Sequence, residues 1–133
     1  MAGCVLRVSG RKFQVDRFLH GSALKPCAVW RKGEPSLRLR GQRYGDSGMN
    51  VVISSRESLQ GQMSQTMRFL KRNGRALMRL RQTDGVESIC LDFGVARSNA
   101  EAGEYYRFPS ELVERAAAAG MSLEISRYAG RKP

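Results

Sequence analysis

Four arginines, Arg68, Arg72, Arg75 and Arg79, recur at i, i+4, i+7 and i+11. At about 100° per residue this spacing keeps them within an arc of about 60° on a helix. Lys71 flanks the arc, and no acidic residue lies between Glu57 and Asp84 to neutralise it. A row of guanidinium groups suits phosphates or the carboxylates of an acidic protein, because the planar fork pairs with either in a bidentate manner. The same pattern also describes the solvated face of an ordinary amphipathic helix. Arginine outnumbers lysine 18 to 5 along the whole chain, which favours that plainer reading.

A second basic group, Arg38, Arg40, Arg43 and Tyr44, has Trp30 upstream of it. Cations interleaved with aromatics can bind single-stranded nucleic acid, since bases stack on rings while cations follow the backbone. No RNA-binding strand motif, G-x-x-G of the K-homology type or zinc-finger spacing accompanies them, so a solvated loop is the simpler expectation.

Catalytic groups are sparse. His20 is the only histidine, and it has no motif partner. Asp92 interrupts an apolar strand, so it must be paired, exposed on an open sheet face or functional; exposure on the open face is expected. Asp92-Phe93-Gly94 matches the kinase metal-binding tripeptide, but the chain is too short for a kinase and lacks its other signatures. Gly41 to Gly48 lacks the arrangement that cradles phosphates. Cys4, Cys27 and Cys90 form no C-x-x-C pair, which argues against a disulfide framework or a zinc site. Cys4 and Cys90 are expected to be small buried hydrophobes. No catalytic residue, metal or cofactor is expected, and an enzyme using Asp92 with Cys27 or Cys90 is the least favoured reading.

These side chains need elements to hold them. Alternation predicts strands at Cys4 to Val8, Met49 to Ser54, Val86 to Val95 and Met121 to Ser126. In the third of these, Ile89, Leu91, Phe93 and Val95 share one face, and Ser88, Cys90 and Asp92 the other. A shorter extended segment follows Pro26 through Trp30, and Leu37 to Leu39 suggests another within the 33–48 loop. Val15, Phe18 and Leu19 fall at helical spacing before Gly21-Ser22. Ser54 and Glu57 form a capping box for the longest helix, which runs to about Arg81. Met63, Phe69, Leu70, Leu77 and Leu80 lie opposite the arginines, and Asn73-Gly74 should kink or split the helix. After a loop at 97–107, Pro109 fits the first turn of a last helix and Gly120 a left-handed stop. Residues 130–133 read as a frayed tail.

The order β-α-β-β-α-β-α-β, with several half-polar strands, predicts an α+β fold: a two-layer α/β sandwich whose mixed or mainly antiparallel sheet is covered by helices on one face. At 133 residues and 41% hydrophobic content, one folded domain spanning 1–133 is expected. No apolar run approaches the roughly 18 residues of a membrane span, and no signal peptide is evident. A cytoplasmic protein follows as the expectation. Charge is uneven: residues 1–82 carry 17 Lys/Arg against 4 Asp/Glu, and residues 83–133 carry 6 against 8. Such polarity draws anionic partners to one region.

The blocks Cys4-Val-Leu-Arg-Val-Ser-Gly10, Arg31-Lys-Gly-Glu-Pro35, Ser47-Gly-Met-Asn-Val-Val52, Leu91-Asp-Phe-Gly-Val95 and Phe108-Pro-Ser-Glu-Leu112 resemble those of small bacterial proteins classed as domains of unknown function. Some of those proteins are similar to immunity proteins of toxin systems. The resemblance spans most of the chain and implies a small α/β domain of bacterial origin; it supplies no catalytic residues. The leading expectation is a non-enzymatic binding module that docks an acidic protein through Arg68, Lys71, Arg72, Arg75 and Arg79. Nucleic-acid binding through the same stripe and the 38–44 loop is the alternative.

Overall fold

The computed structural model describes residues 2–97 and 105–129. The 130–133 tail and most of the 97–107 loop lie outside these. The elements are β1 (Gly3–Gly10), α1 (Val15–Leu19), β2 (Ala28–Trp30), β3 (Ser47–Ser54), α2 (Leu59–Arg72), α3 (Gly74–Arg81), β4 (Ser88–Ala96), α4 (Ser110–Ala118) and β5 (Ser122–Tyr128). They form one five-stranded sheet of order β2-β3-β1-β4-β5. Every pairing is antiparallel except β4 with β5, which α4 connects as a parallel crossover. The sheet is therefore mixed, and the fold is α+β.

Alternation assigns the two faces. Leu6 stands opposite Val51 on one side and Leu91 on the other, and Val8 stands opposite Met49 and Ile89. These side chains form the helix-covered face and are buried with Met63 and Leu70 of α2, Leu77 and Leu80 of α3, and Leu112 of α4. The opposite parity (Arg7, Asn50, Cys90 and Glu124, with Trp30 at the β2 edge) makes the open face. No helix among the described residues is long and apolar enough to cross a membrane.

Local chemistry sets most boundaries. Asn73, at φ −106° and ψ 24°, ends α2 and begins α3, so the long helix is split where Asn73-Gly74 indicated. Gly120 adopts φ +72° after α4, and Arg81 reaches the Ala118 carbonyl there.

Three local expectations fail. The helix cap is Ser58, whose Oγ accepts from the Gly61 N–H at 3.0 Å, and not Ser54. Ser54 is still paired with Cys4 and buried at the end of β3, so the sheet ladder claims its backbone. Leu37 to Leu39 is no strand: the loop is joined by an isolated bridge between Pro35 and Arg43, and Leu37 is 93% exposed. Pro109 caps α4 from an extended conformation, one residue ahead of the first turn.

Candidate functional site

The helical layer carries the arginine stripe, now shared between two helices. Arg68 and Arg72 of α2 line a shallow hollow of about 210 Å³ with Ile53 and Phe69. Lys71 pairs with Glu111 of α4 at 3.5 Å. Arg75 is exposed on α3. Arg79 lies over the Phe18 ring, 4.7 Å from its centroid, and its Nη2 approaches the His20 carbonyl at 3.5 Å. A guanidinium on a ring face keeps its charge while covering apolar surface.

Arg79 also borders a hollow of about 500 Å³, together with Lys12 and Arg17. The three cations come from α3, the β1–α1 turn and α1, and the one carboxylate on its wall is Asp84. Gly85 permits this approach. It adopts φ +88°, and a Cβ there would strike the Lys12 carbonyl. Lys12 and Arg17 escape a sequence reading because their alignment with Arg79 is purely tertiary; the only sequence trace is their place in the basic part of the chain.

The second basic group lies elsewhere. Residues 31–46, between β2 and β3, form a flap held by Tyr44 N–H donating to the Glu34 carbonyl at 2.9 Å and Ser36 N–H to the Gln42 carbonyl at 2.8 Å. Tyr44 Oη accepts from the Leu37 N–H, and Arg43 Nη1 donates to the Gly33 carbonyl at 2.7 Å. Arg31 anchors the flap base through Asp16 at 2.7 Å. That contact holds the exposed Asp16 carboxyl below its usual range.

The flap folds toward the open face and leaves a groove of about 780 Å³, bordered by Arg38, Tyr44 and Leu37 above and by Arg7, Cys90 and Glu124 below. Trp30 stands at one wall, its indole N–H donating to Asp46 at 2.8 Å and its ring 6.3 Å from that of Tyr44. Arg38 and Tyr44 thus meet at the groove, Arg43 is engaged within the flap, and Arg40 is exposed near its tip. The arginine stripe and the aromatic-bearing loop lie on opposite sides of the sheet.

Asp92 is on the open face as its parity requires, but it is not exposed: only 7% of it is accessible. Arg7 of β1 engages its Oδ2 through Nε at 3.1 Å and Nη2 at 3.0 Å, and Ser126 of β5 donates to Oδ1 at 2.7 Å. Pairing across three strands accounts for a carboxylate inside an otherwise apolar strand. Phe93, the next residue, is fully buried on the other face against Phe108.

The thiols divide by environment. Cys4 is buried, and desolvation pushes its thiol up to about 12. Burial likewise raises Cys90, whose Sγ donates to Glu124 at 3.3 Å. Cys27 is exposed beside the Asn50 carbonyl. His20 is exposed and caps α1. Among the described residues no group of three or more His, Cys, Asp or Glu is placed to hold a metal.

Set against known proteins, residues 2–130 match the family model described as Domain of unknown function (DUF4279). No curated protein and no solved structure matches.

Proposed function

We propose that this chain, which belongs to the DUF4279 family of domains of unknown function, is a non-enzymatic binding module that docks an acidic protein through the basic side of its helical layer. The observation that carries the reading is the convergence of Lys12, Arg17 and Arg79 on one hollow. Arg75, Arg72 and Arg68 extend that positive surface along α3 and α2. Met78, 47% exposed on α3, adds an apolar contact beside the cations, and Met and Arg are both enriched at protein interfaces.

A protein partner is favoured over nucleic acid because stacking rings are scarce on this side. Phe18 is covered by Arg79 and Phe69 is half-buried in the hollow between Arg68 and Arg72, while Trp30 and Tyr44 border the groove on the other face. The sequence blocks resemble those of small bacterial proteins, some of them similar to immunity proteins of toxin systems, and a role of that kind is exercised by contact with another protein. Three free thiols suit a reducing bacterial cytoplasm as the setting.

The test is fluorescence anisotropy with a labelled poly-glutamate peptide, a single-stranded RNA and a duplex DNA over a salt series. The peptide should bind at low salt, and the double variant Arg72→Glu/Arg75→Glu should weaken it at least tenfold. Charge reversal without effect would refute the docking surface. Micromolar RNA or DNA binding that falls steeply with salt would instead favour nucleic acid.

A further inference from the structure

We propose that the groove between the flap and the open face of the sheet binds a small dipolar ligand bearing a planar or apolar group, with the chemistry of a free aromatic amino acid. This site lies on the far side of the sheet from the basic surface and does not depend on it.

Its size is the first argument. About 780 Å³ falls within the range of roughly 300–1,000 Å³ typical of small-molecule sites. All five strands contribute to the floor and the structured flap supplies the roof, so the walls are preformed.

The polar groups define the ligand's charge pattern. Arg7 is oriented from beneath by Asp92, which takes Nε and Nη2, and Nη1 donates to the Asn50 side-chain oxygen at 3.1 Å in its favoured amide orientation. A guanidinium has five N–H donors, and the hydrogen bonds from Nε and Nη1 use two of them. Donors on the terminal nitrogens remain for a ligand carboxylate. The side chain is 45% exposed at the groove floor. Arg38 adds a second cation from the roof.

Glu124 and Asp46 set two carboxylates on the same walls. A plain anion would meet these, and a plain cation would meet the two guanidinium groups. A ligand with both an ammonium and a carboxylate satisfies each sign. Trp30, Tyr44 and the exposed Leu37 supply the apolar wall for its side chain.

Trp30 is the only tryptophan of the chain, so its emission reports occupancy of this groove directly. The intact protein is titrated with phenylalanine, with phenylpropionate (no ammonium), with phenethylamine (no carboxylate) and with AMP, and binding is repeated by calorimetry. Phenylalanine should saturate. Each truncated analogue should bind at least tenfold more weakly, because it leaves a charged hydrogen-bonding group unmatched. Arg38→Ala and Glu124→Gln should each weaken phenylalanine at least fivefold with unchanged thermal melts. Arg38 is an exposed flap residue, so its variant keeps the test valid should Glu124→Gln disturb the Cys90 contact. No saturable signal with phenylalanine up to about 10 mM, equal binding of a truncated analogue, or saturation by AMP alone would overturn the proposal.

Discussion

The Arg7–Asp92 pair should respond unequally to loss of its two members. Asp92 is 7% accessible, whereas the Arg7 side chain is 45% exposed. Arg7→Met leaves a carboxylate buried with Ser126 as its remaining partner, a situation that costs about 3 kcal/mol or more. Asp92→Asn leaves a guanidinium free to turn toward water, and the new amide still accepts from Ser126. That change should cost about 1 kcal/mol, discounted for the solvent around Arg7. The double variant removes both charges and should cost about 2 kcal/mol, giving a coupling of about 2 kcal/mol. At about 2.1 cal/mol/K per residue the unfolding entropy of a chain this size is about 0.28 kcal/mol/K, so Tm should fall by about 11 °C for Arg7→Met and about 4 °C for Asp92→Asn. Urea melts at pH 7 with calorimetric Tm values measure all three variants. An inverted order of the single variants, or a coupling under about 0.5 kcal/mol, would refute the claim that burial and charge at this pair set its energetics.

Gly85→Ala should destabilise by about 2 kcal/mol or more, since it combines a left-handed φ with a collision at the Lys12 carbonyl. Gly33→Ala, with φ +87° but open space around it, should cost about 1 kcal/mol; equal losses in denaturant melts would show that the collision is not felt. Among the thiols, Cys27 should react first with an aromatic disulfide reagent at pH 8, Cys90 at the groove floor more slowly, and Cys4 only on unfolding. Because burial pushes the native Cys4 thiol from its ordinary 9.0 up to about 12, the unfolded chain releases this proton first. Stability owed to the protonated Cys4 is complete below about pH 9 and declines between 9 and 12. The stability gap between wild type and Cys4→Ala should therefore narrow over that window, and a constant gap would contradict it.

The strands were legible because alternation is a local signal with a tertiary cause. Leu6 and Val8, Met49 and Val51, and Leu91 and Phe93 each repeat at period 2, and each set lies under the helices. The helix break was legible too, since Asn73 and Gly74 disfavour continuation on their own account. The helix start was not. Ser54 and Ser58 both offer a capping hydroxyl, and Ser54 even has a glutamate three residues on. The ladder to Cys4 overrides that local preference, and Cys4 lies 50 residues away. The flap failed for a related reason. Its order comes from cross-loop bonds such as Tyr44 to Glu34 and Arg43 to Gly33, which leave no period in the sequence.

The chemistry of the open face was half visible in the same way. Asp92 stands out in the sequence as a carboxylate in an apolar strand, whereas Arg7 is an ordinary cation beside Val5 that nothing local singles out. What joins them is the adjacency of β1 and β4 and a register in which Val5 faces Asp92 and Arg7 faces Cys90. A slip of one residue would move Arg7 opposite a core position and break both the pair and the apolar face, so the hydrophobic pattern pins the register. Strand order is the missing quantity: nothing local says that β1 sits at the centre, between β3 and β4. Once it does, Asp92 fixes one edge of the Arg7 guanidinium, Asn50 holds another donor, and donors on its terminal nitrogens are left for the groove. The polar parity of three strands then becomes one site, on the face that the arginine stripe cannot reach.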